Sequence, residues 1–431
     1  MIETNGRPAP LHFAHVRLID PEAGDVREGH LSVGTDGRIA AIAHDGAPPP
    51  GARDGAGLCL APGIVDWGVQ IGEPGARHKE SFRSAGAAAA AGGVTTLVTR
   101  PDTDPAIDTP EQLEFVARRA SADAPVRIHP MAALTKARAG REMTEIGFLM
   151  DAGAVAFTDG MRVVEDSRVL ARALTYAASL GALVVTHPQE PHLSRGAVAT
   201  SGKFASLRGL PAVSPLAERM GLDRDLALAE MTGAALHPDQ VTTARALPPL
   251  ERARDAGRDV TAGISIHHLT LNLLDIGDYR SFFKLTPPLR DEDDRLAMVE
   301  AVGAGLIDVI GSMHTPQDEE SKRLPFEAAA AGAVGLQTLL PAALRLYHAE
   351  LLSLPQLWRA MALNPARRLR LPAGRLAPGA PADLVLFDPD APFVLDRHAL
   401  ASKSKNTPFD GALLQGRVHG TWVGGTPVFE G

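Results

Sequence analysis

Cysteine is almost absent from the 431-residue sequence, in which Cys59 is the only one. A single cysteine excludes an intramolecular disulfide and any metal site built from several cysteines. Because Cys59 lies in the apolar run 58–61, we expect it to be a small buried side chain in a protein of a reducing compartment.

An excess of positive charge is also absent. Lysine and arginine number 43 against 51 for aspartate and glutamate, which gives a net charge of -8 at pH 7. Such a chain has no basic field to hold a phosphate backbone, so nucleic acid is not expected as a partner.

Long hydrophobic runs are missing too. No window approaches the roughly 18 to 20 consecutive apolar residues that a membrane helix needs. Residues 1–10 lack the basic start and apolar stretch of a secretion signal. These absences predict a cytoplasmic protein that has no membrane partner.

The remaining composition is that of an ordinary folded protein, with 45% hydrophobic and 22% charged residues. Its length suits one large domain with an appendage. Residues 11 to 60 contain short alternating runs separated by proline, glycine and aspartate, which is typical of small antiparallel strands.

From about residue 61, short apolar strands alternate with longer alanine-rich helical stretches. Eight such repeats favour an α/β fold, a closed (β/α)8 barrel over residues 61–365, with a doubly wound open sheet as the alternative. The alanine tracts 87–91 and 328–331 are expected to favour helix. The strand candidates are 63–69, 94–98, 126–131, 154–157, 182–186, 234–241, 259–266 and 306–311.

After residue 365 the pattern returns to short strands, at 382–387, 416–418 and 421–428. We therefore predict that the segments 1–60 and 366–431 pair in one small β-sandwich domain beside the barrel.

Neither a Gly-x-Ser-x-Gly elbow nor a Gly-x-x-x-x-Gly-Lys-Ser/Thr loop is present, so the serine-hydrolase and phosphate-loop classes are not expected.

The first barrel strand carries the most specific motif. Residues 62–75 read Pro-Gly-Ile-Val-Asp-Trp-Gly-Val-Gln-Ile-Gly-Glu-Pro-Gly. Without a gap, this segment resembles the first strand of the dihydroorotases of the amidohydrolase superfamily, typically Pro-Gly-Phe-Val-Asp-x-His-x-His-Phe-Arg-Glu-Pro-Gly. The resemblance covers nearly the whole chain and implies the barrel fold of that family; it continues at 92–96, 266–269, 287–290, 364–366 and 402–411.

In the resembled family, the two histidines of the first strand bind zinc at the mouth of the barrel. Here those positions hold Gly68 and Gln70. Glycine has no donor atom, and a neutral amide competes poorly with water for a divalent cation. The metal positions of the fifth, sixth and eighth strands hold His187, Gln240 and Met313.

The fourth-strand position stays open between two residues. A gapless match places Gly160 where related dihydroorotases have a ligand aspartate, whereas a one-residue gap would place Asp159 there. At the eighth strand the family aspartate also serves as general base, and the thioether of Met313 cannot accept a proton near neutral pH. Of the family's metal positions, only that of His187 clearly keeps a residue that can bind a metal. The resemblance therefore implies no catalytic residue and no binuclear metal centre.

The substrate positions have changed as well. Gly72 replaces the arginine that pairs with the substrate carboxylate, Asp102 and Thr286 replace asparagines of the second-strand and seventh-strand loops, and Gln317 replaces the last histidine. Losing the arginine removes a bidentate clamp, and Asp102 adds repulsion toward an anionic substrate. We expect the substrate site to be lost as a unit.

Other polar residues near the predicted strand ends have alternative interpretations. His187 is either a vestigial ligand or a histidine satisfied by a neighbouring carbonyl, and we favour the second; for His267 and His268 we favour a structural role. The polar residues near the strand ends form either a rearranged single-metal site or a barrel mouth held by hydrogen bonds alone. We favour the hydrogen-bonded mouth. The candidate ligands of the metal site are His237, Asp239, His314, Asp159 and Glu190.

These observations predict a catalytically inactive dihydroorotase homologue that needs no cofactor. Inactive homologues of the family assemble with aspartate carbamoyltransferase in some bacteria, so the resemblance implies an oligomeric structural or regulatory subunit for that enzyme in pyrimidine biosynthesis. One alternative is an active amidohydrolase that cleaves a cyclic amide with zinc in a degenerate single-metal site. Another is a small-molecule sensor whose pocket Trp67 and Met313 make more apolar.

Overall fold

A computed structural model describes residues 11–431 of the chain, and the prediction made from residues 1–10 lies outside the described residues. The strands are β1 Leu11–Asp20, β2 Asp25–Val33, β3 Ile39–Ala43, β4 Arg53–Asp54, β5 Cys59–Pro62, β6 Ile64–Val69, β7 Val94–Thr99, β8 Arg127–Pro130, β9 Leu183–Thr186, β10 Ala199–Thr200, β11 Ala212–Val213, β12 Ala235–Pro238, β13 Gly263–Ser265, β14 Val309–Gly311, β15 Leu384–Val394, β16 Leu413–Val423 and β17 Thr426–Glu430. The α-helices are α1 Phe82–Ala91, α2 Pro110–Asp123, α3 Ile146–Asp151, α4 Ser167–Leu180, α5 Pro191–Ser194, α6 Lys203–Arg208, α7 Leu216–Thr232, α8 Leu247–Asp255, α9 Ile266–Thr270, α10 Glu292–Gly303, α11 Glu319–Arg323, α12 Leu339–His348, α13 Leu354–Trp358 and α14 Asn364–Arg368.

The two ends of the described chain lie in a single sheet. Its strand order is β17-β16-β15-β5-β1-β2-β3, and β4 pairs with β1. Phe13 on β1 meets Trp422 on β16 edge to face, with ring centroids 4.9 Å apart, so residues from both ends share one core. The pairing of the ends is as expected, and the arrangement as a two-layer sandwich stays a prediction.

Eight strand positions close into the predicted barrel. β6, β7 and β8 pair in parallel, and Phe157, at the fourth position, bridges Ala132, just after β8, and Val184 on β9. β9 pairs with β12, Leu236 bridges Val260, and β13 pairs with β14. The ring closes where the backbone N–H of Gln70 donates to the carbonyl oxygen of His314 at 2.8 Å. This closure rules out the open doubly wound sheet.

The barrel strands are apolar on both faces because their inner side chains pack together and their outer ones lie beneath helices. β7 is buried along its whole length. The helix α4 shows the covering layer: Asp166 caps it by accepting the N–H of Arg168 at 2.7 Å, and Val169 and Ala173 are buried on its inner face.

Three local expectations had different outcomes. Cys59 is a free, buried thiol, as predicted, and the tract 87–91 is helical. The tract 328–331 is not a helix, so that expectation was wrong. The Nζ of Lys322 donates to the carbonyls of Ala330 and Gly332 at 2.7 and 3.1 Å, and these contacts hold the tract in an irregular segment at the barrel mouth.

No helix within residues 11–431 is both long and apolar enough to cross a membrane.

Candidate functional site at the barrel mouth

The carboxyl ends of the barrel strands bring the family's metal positions together. Gly68 on β6 and Met313 after β14 are in contact, and Asp239, which follows β12, lies beside them. A Cβ added at Gly68 would overlap the Sδ of Met313 and lie 2.8 Å from its Cε. The thioether therefore fills the space that a side chain at position 68 would need.

Residues of neighbouring loops, Asp102 and Arg138, lie against Gln70 and Gly160. The amide Nε2 of Gln70 donates to the backbone carbonyl of Asp102 at 3.3 Å. A Cβ at Gly160 would lie 3.3 Å from a guanidinium nitrogen of Arg138 and 3.7 Å from Oδ2 of Asp102. A carboxylate at position 160 would thus meet an arginine at close range.

Arg100 lies at the centre of this mouth, and the sequence analysis missed it. It follows β7 directly, and its Nη2 lies 3.2 Å from Oδ2 of Asp102 and 3.2 Å from Oγ1 of Thr315. Its side chain is only 4% exposed. The signal that could have found it is position alone, because the residue at the carboxyl end of a barrel strand faces the site. A buried guanidinium repels a divalent cation placed beside it.

His187, Asp239 and Gln240 lie around Arg100. Burial, with the charges of Arg100 and Arg290, lowers the pKa of His187 to about 4, so the imidazole is neutral at pH 7. No side chain or backbone group of residues 11–431 hydrogen-bonds its Nδ1, so the expected carbonyl partner is not there. Burial raises the pKa of Asp239 to about 7, although Arg100 opposes this shift.

Within residues 11–431, the residues considered for a rearranged metal site do not converge as a group of three or more. His237 bonds Thr261 Oγ1 through Nδ1 at 2.8 Å, and its ring lies 4.5 Å from that of Trp67 inside the barrel. Glu190 accepts the N–H of Leu193 at 2.6 Å and caps α5.

Two more of the five candidates, Asp159 and His314, also have partners of their own. Asp159 accepts the N–H of Thr135 at 2.9 Å, and Nε2 of His314 lies 3.4 Å from a carboxylate oxygen of the buried Glu80. Across residues 11–431, no group of three or more histidine, cysteine, aspartate and glutamate side chains is placed to hold a metal ion. The donor set therefore does not fit the family's zinc centre.

The substrate positions are likewise used for internal contacts. A Cβ at Gly72 would overlap the carbonyl oxygen of Ala76, so an arginine does not fit there without a change of the loop. Gln317 accepts from Nζ of Lys79 at 3.2 Å and donates to the carbonyl of Ala331 at 2.8 Å. Asp102 pairs with Arg100, as described above.

Two cavities remain at the mouth. The inner cavity, of about 350 Å³, is lined in part by Arg100, Asp102, Gln240, His268 and Met313. An outer cavity of about 760 Å³ adjoins it, because Met161 and Thr286 line both. Trp67 lines neither, so of the two residues expected to make the pocket apolar, only Met313 does so.

The two histidines of the motif at α9 line the inner cavity. His268 donates from Nε2 to the carbonyl of Pro287 at 3.0 Å, and Nδ1 of His267 lies 3.1 Å from Oγ of Ser265. Burial lowers the pKa of His267 to about 4 and that of His268 to about 3. Both are neutral at pH 7, and the site can hold a small molecule by hydrogen bonding.

Comparison with known proteins gives consistent matches. The model of the dihydro-orotase-like family matches residues 57–245. A dihydroorotase-like protein of Pseudomonas aeruginosa is 40% identical over 420 residues, which cover 96% of this chain and 98% of that protein. A dihydroorotase of Desulforapulum autotrophicum is 36% identical over 424 residues, covering 97% of this chain and 99% of its own.

Solved structures match over the same length. The L-hydantoinase (dihydropyrimidinase) of Arthrobacter aurescens has a TM-score of 0.87 at 26% identity and covers 97% of this chain and 96% of its own. The dihydropyrimidinase of Brevibacillus agri has a TM-score of 0.82 at 20% identity, covering 98% and 95%, which shows the fold alone.

Proposed function

Because the chain belongs to the dihydroorotase-like family, we propose that it is a non-catalytic member of that family, serving as a structural or regulatory subunit for aspartate carbamoyltransferase in pyrimidine biosynthesis. The proposal has two parts, the loss of hydrolysis and the partner. They rest on different observations and are tested separately.

The contact between Gly68 and Met313 carries the first part. A histidine at the first-strand position and an aspartate at the eighth-strand position are what a zinc hydrolase of this family uses. In this chain the eighth-strand side chain is a thioether that fills the first-strand space. Neither residue can bind zinc or take a proton at pH 7, so the hydrolytic water would have no activator.

Arg100 supports the same conclusion. Its guanidinium lies among His187, Asp239 and Gln240 and is paired with Asp102. Its fixed positive charge pairs with the carboxylate of Asp102 and opposes the entry of Zn²⁺. This argues against a degenerate single-metal hydrolase.

The partner rests on resemblance to inactive homologues that bind aspartate carbamoyltransferase, and the preserved rim supports it. The segment 402–406 is held on the barrel: Oγ of Ser404 donates to the carbonyl of Lys79 at 3.0 Å, and Nζ of Lys403 to that of Arg77 at 2.9 Å. A rim kept ordered around an altered mouth suits a protein that acts through its surface. A cytoplasmic location and an oligomeric assembly follow from the same proposal.

Co-assembly tests the partner directly. The full chain and the aspartate carbamoyltransferase of the same organism are purified separately, mixed at equal micromolar concentrations and separated by size-exclusion chromatography with light scattering. We expect a complex of defined stoichiometry, and a transferase whose thermal stability or substrate dependence changes when the chain is added. Separate elution with unchanged transferase properties would refute the subunit role.

A further inference from the structure

The outer cavity at the barrel mouth is unusually rich in arginine for a chain with a net charge of -8. Arg138, Arg141, Arg162 and Arg195 line it, together with the two carboxylates Glu165 and Asp166. The lining therefore carries two more positive than negative side chains.

Only one of these arginines is neutralised by a direct ion pair. Arg195 lies 2.9 Å from Oε1 of Glu165. Within residues 11–431, the guanidinium groups of Arg138, Arg141 and Arg162 form no ion pair with a carboxylate. Arg138 donates from Nε and Nη2 to the backbone carbonyl of Asp159 at 3.1 and 3.0 Å, which fixes its position without cancelling its charge. Guanidinium groups that converge on one cavity are the usual means of binding a phosphate.

The adjoining inner cavity has a different chemistry. Arg100 and Asp102 pair there, and its histidines are neutral, so it is electrically balanced. His268 must carry its proton on Nε2 to donate to the carbonyl of Pro287, which leaves Nδ1 as an acceptor.

Several buried polar atoms of this inner lining lack partners. The acceptors are Nδ1 of His268, Oε1 of Gln240 and Oδ1 of Asp102, the donor is Nε of Arg100, and Nε2 of His267 is a donor or an acceptor according to its tautomer. A buried polar atom without a partner is costly, so such a set favours a ligand that completes it. Acceptors outnumber donors, which favours a ligand with several N–H groups.

We propose that the two connected cavities form a binding site for a nucleoside monophosphate whose base carries an amino group, with the phosphate on Arg138, Arg141 and Arg162 and the base against His268, Gln240 and Asp102. The inner volume of about 350 Å³ accommodates a single base, and Met161, which lines both cavities, lies where the sugar would pass. The site needs no metal and no partner protein, so a test of nucleotide binding is independent of the test of the proposed subunit role.

Isothermal titration calorimetry on the purified full chain tests the proposal. The probes are cytidine and adenosine 5′-monophosphate, uridine 5′-monophosphate, cytidine, ribose 5-phosphate and inorganic phosphate, all at one salt concentration. We expect saturable one-to-one binding of at least one amino-base nucleotide, with the uridine nucleotide, the nucleoside and both simple phosphates weaker. No saturable binding by either amino-base nucleotide, or inorganic phosphate binding equally well, would overturn the proposal.

Paired substitutions locate the site on the arginines. Arg141 and Arg162 are exposed, so the double variant Arg141→Ala/Arg162→Ala is expected to fold, and to bind the nucleotide roughly tenfold or more weakly because charge-assisted contacts are lost. Arg118 on α2 is exposed and lines neither cavity, so Arg118→Ala is the matched control and should bind normally. Unchanged affinity in the double variant would place the nucleotide elsewhere and contradict the assignment.

Discussion

The Sδ atom of Met313 occupies the space beside the α-carbon of Gly68, so that any side chain at position 68 would overlap it. Gly68 also has φ +75°, a conformation that L side chains rarely adopt. Two positions that the family uses for zinc thus hold residues that pack against each other. Which side chain fits at position 68 therefore depends on the side chain at position 313.

A double-mutant cycle measures this dependence by urea unfolding. Gly68→Ala should lower the free energy of unfolding by about 2 to 4 kcal/mol through the clash and the positive φ. Met313→Ala removes the clash, so the loss in the double variant should fall short of the sum of the single losses by about 1 kcal/mol or more. Gly181, with φ +64° and open space around it, is the control, and Gly181→Ala should show only the backbone cost. Strict additivity would contradict the packed pair.

The fold was predictable from the sequence because barrel strands carry a strong local signal. All eight strand candidates lie at barrel positions, including the one around Phe157, which forms only bridges. The tract 328–331 shows the limit, since the lysine that fixes it acts from outside the tract. Helix propensity is a weak preference that such contacts override.

The sequence predicted which zinc ligands and substrate contacts of the family are missing from the candidate site. It did not predict which side chains contact one another there. The motif around Gly68 and Gln70 indicates which zinc ligands have gone, because those positions are aligned with a known pattern. Arg100 is at none of the metal and substrate positions that the resemblance compares, so comparison by position gave no reason to examine it. Its pairing with Asp102 depends on two side chains meeting in space, which sequence spacing alone does not specify.

Removing Arg100 should expose the cost of a buried unpaired charge. Its side chain and that of Asp102 are 4% and 8% exposed, so Arg100→Met should lower the free energy of unfolding by about 3 to 5 kcal/mol. Adding Asp102→Asn to Arg100→Met should restore part of that loss, because no charge then remains unpaired. Denaturant unfolding of the parent and the two variants checks this; an Arg100→Met chain as stable as the parent would contradict a central ion pair.

The neutral state of His187 predicts a dependence of stability on pH. Its pKa is lowered from 6.5 to about 4, so the folded chain binds fewer protons than the unfolded chain between those values, and stability falls as pH drops through this window. His187→Gln should reduce that slope by up to about 1.4 kcal/mol per pH unit. Unfolding curves at pH 4.5 to 7 measure the slope, and an identical slope in the variant would show that His187 is not buried neutral.

The raised pKa of Asp239 predicts a change of stability with pH that is opposite in sign to that from His187. Its pKa is raised from 3.8 to about 7, so the folded chain binds more protons than the unfolded one in this range. Its contribution to stability is present at low pH and is lost as pH rises toward 7. Asp239→Asn should therefore make the slope of stability against pH more positive than the parent's between about pH 4 and 7, whatever the sign of the parent's own slope. An identical slope in variant and parent would contradict the buried, protonated carboxyl.

Restoring the family's metal positions should recover metal binding before activity. The fivefold variant Gly68→His, Gln70→His, Gly160→Asp, Gln240→His and Met313→Asp still holds Arg100 among the new ligands. Adding Arg100→Met should tighten zinc binding, measured by competition with a chromophoric chelator, since a positive charge is removed. Efficient turnover by either variant would contradict the claim that the substrate positions, including Gly72, are lost as well.

The central claim, that the chain has no hydrolytic metal site, is tested most directly by elemental analysis of the purified protein and a dihydroorotate hydrolysis assay on the same preparation. The arrangement of Gly68, Met313 and Arg100 predicts substoichiometric zinc and no turnover, also after incubation with added Zn²⁺. Near-stoichiometric zinc, with hydrolysis that a chelator abolishes, would contradict it and point to an active site built around His187.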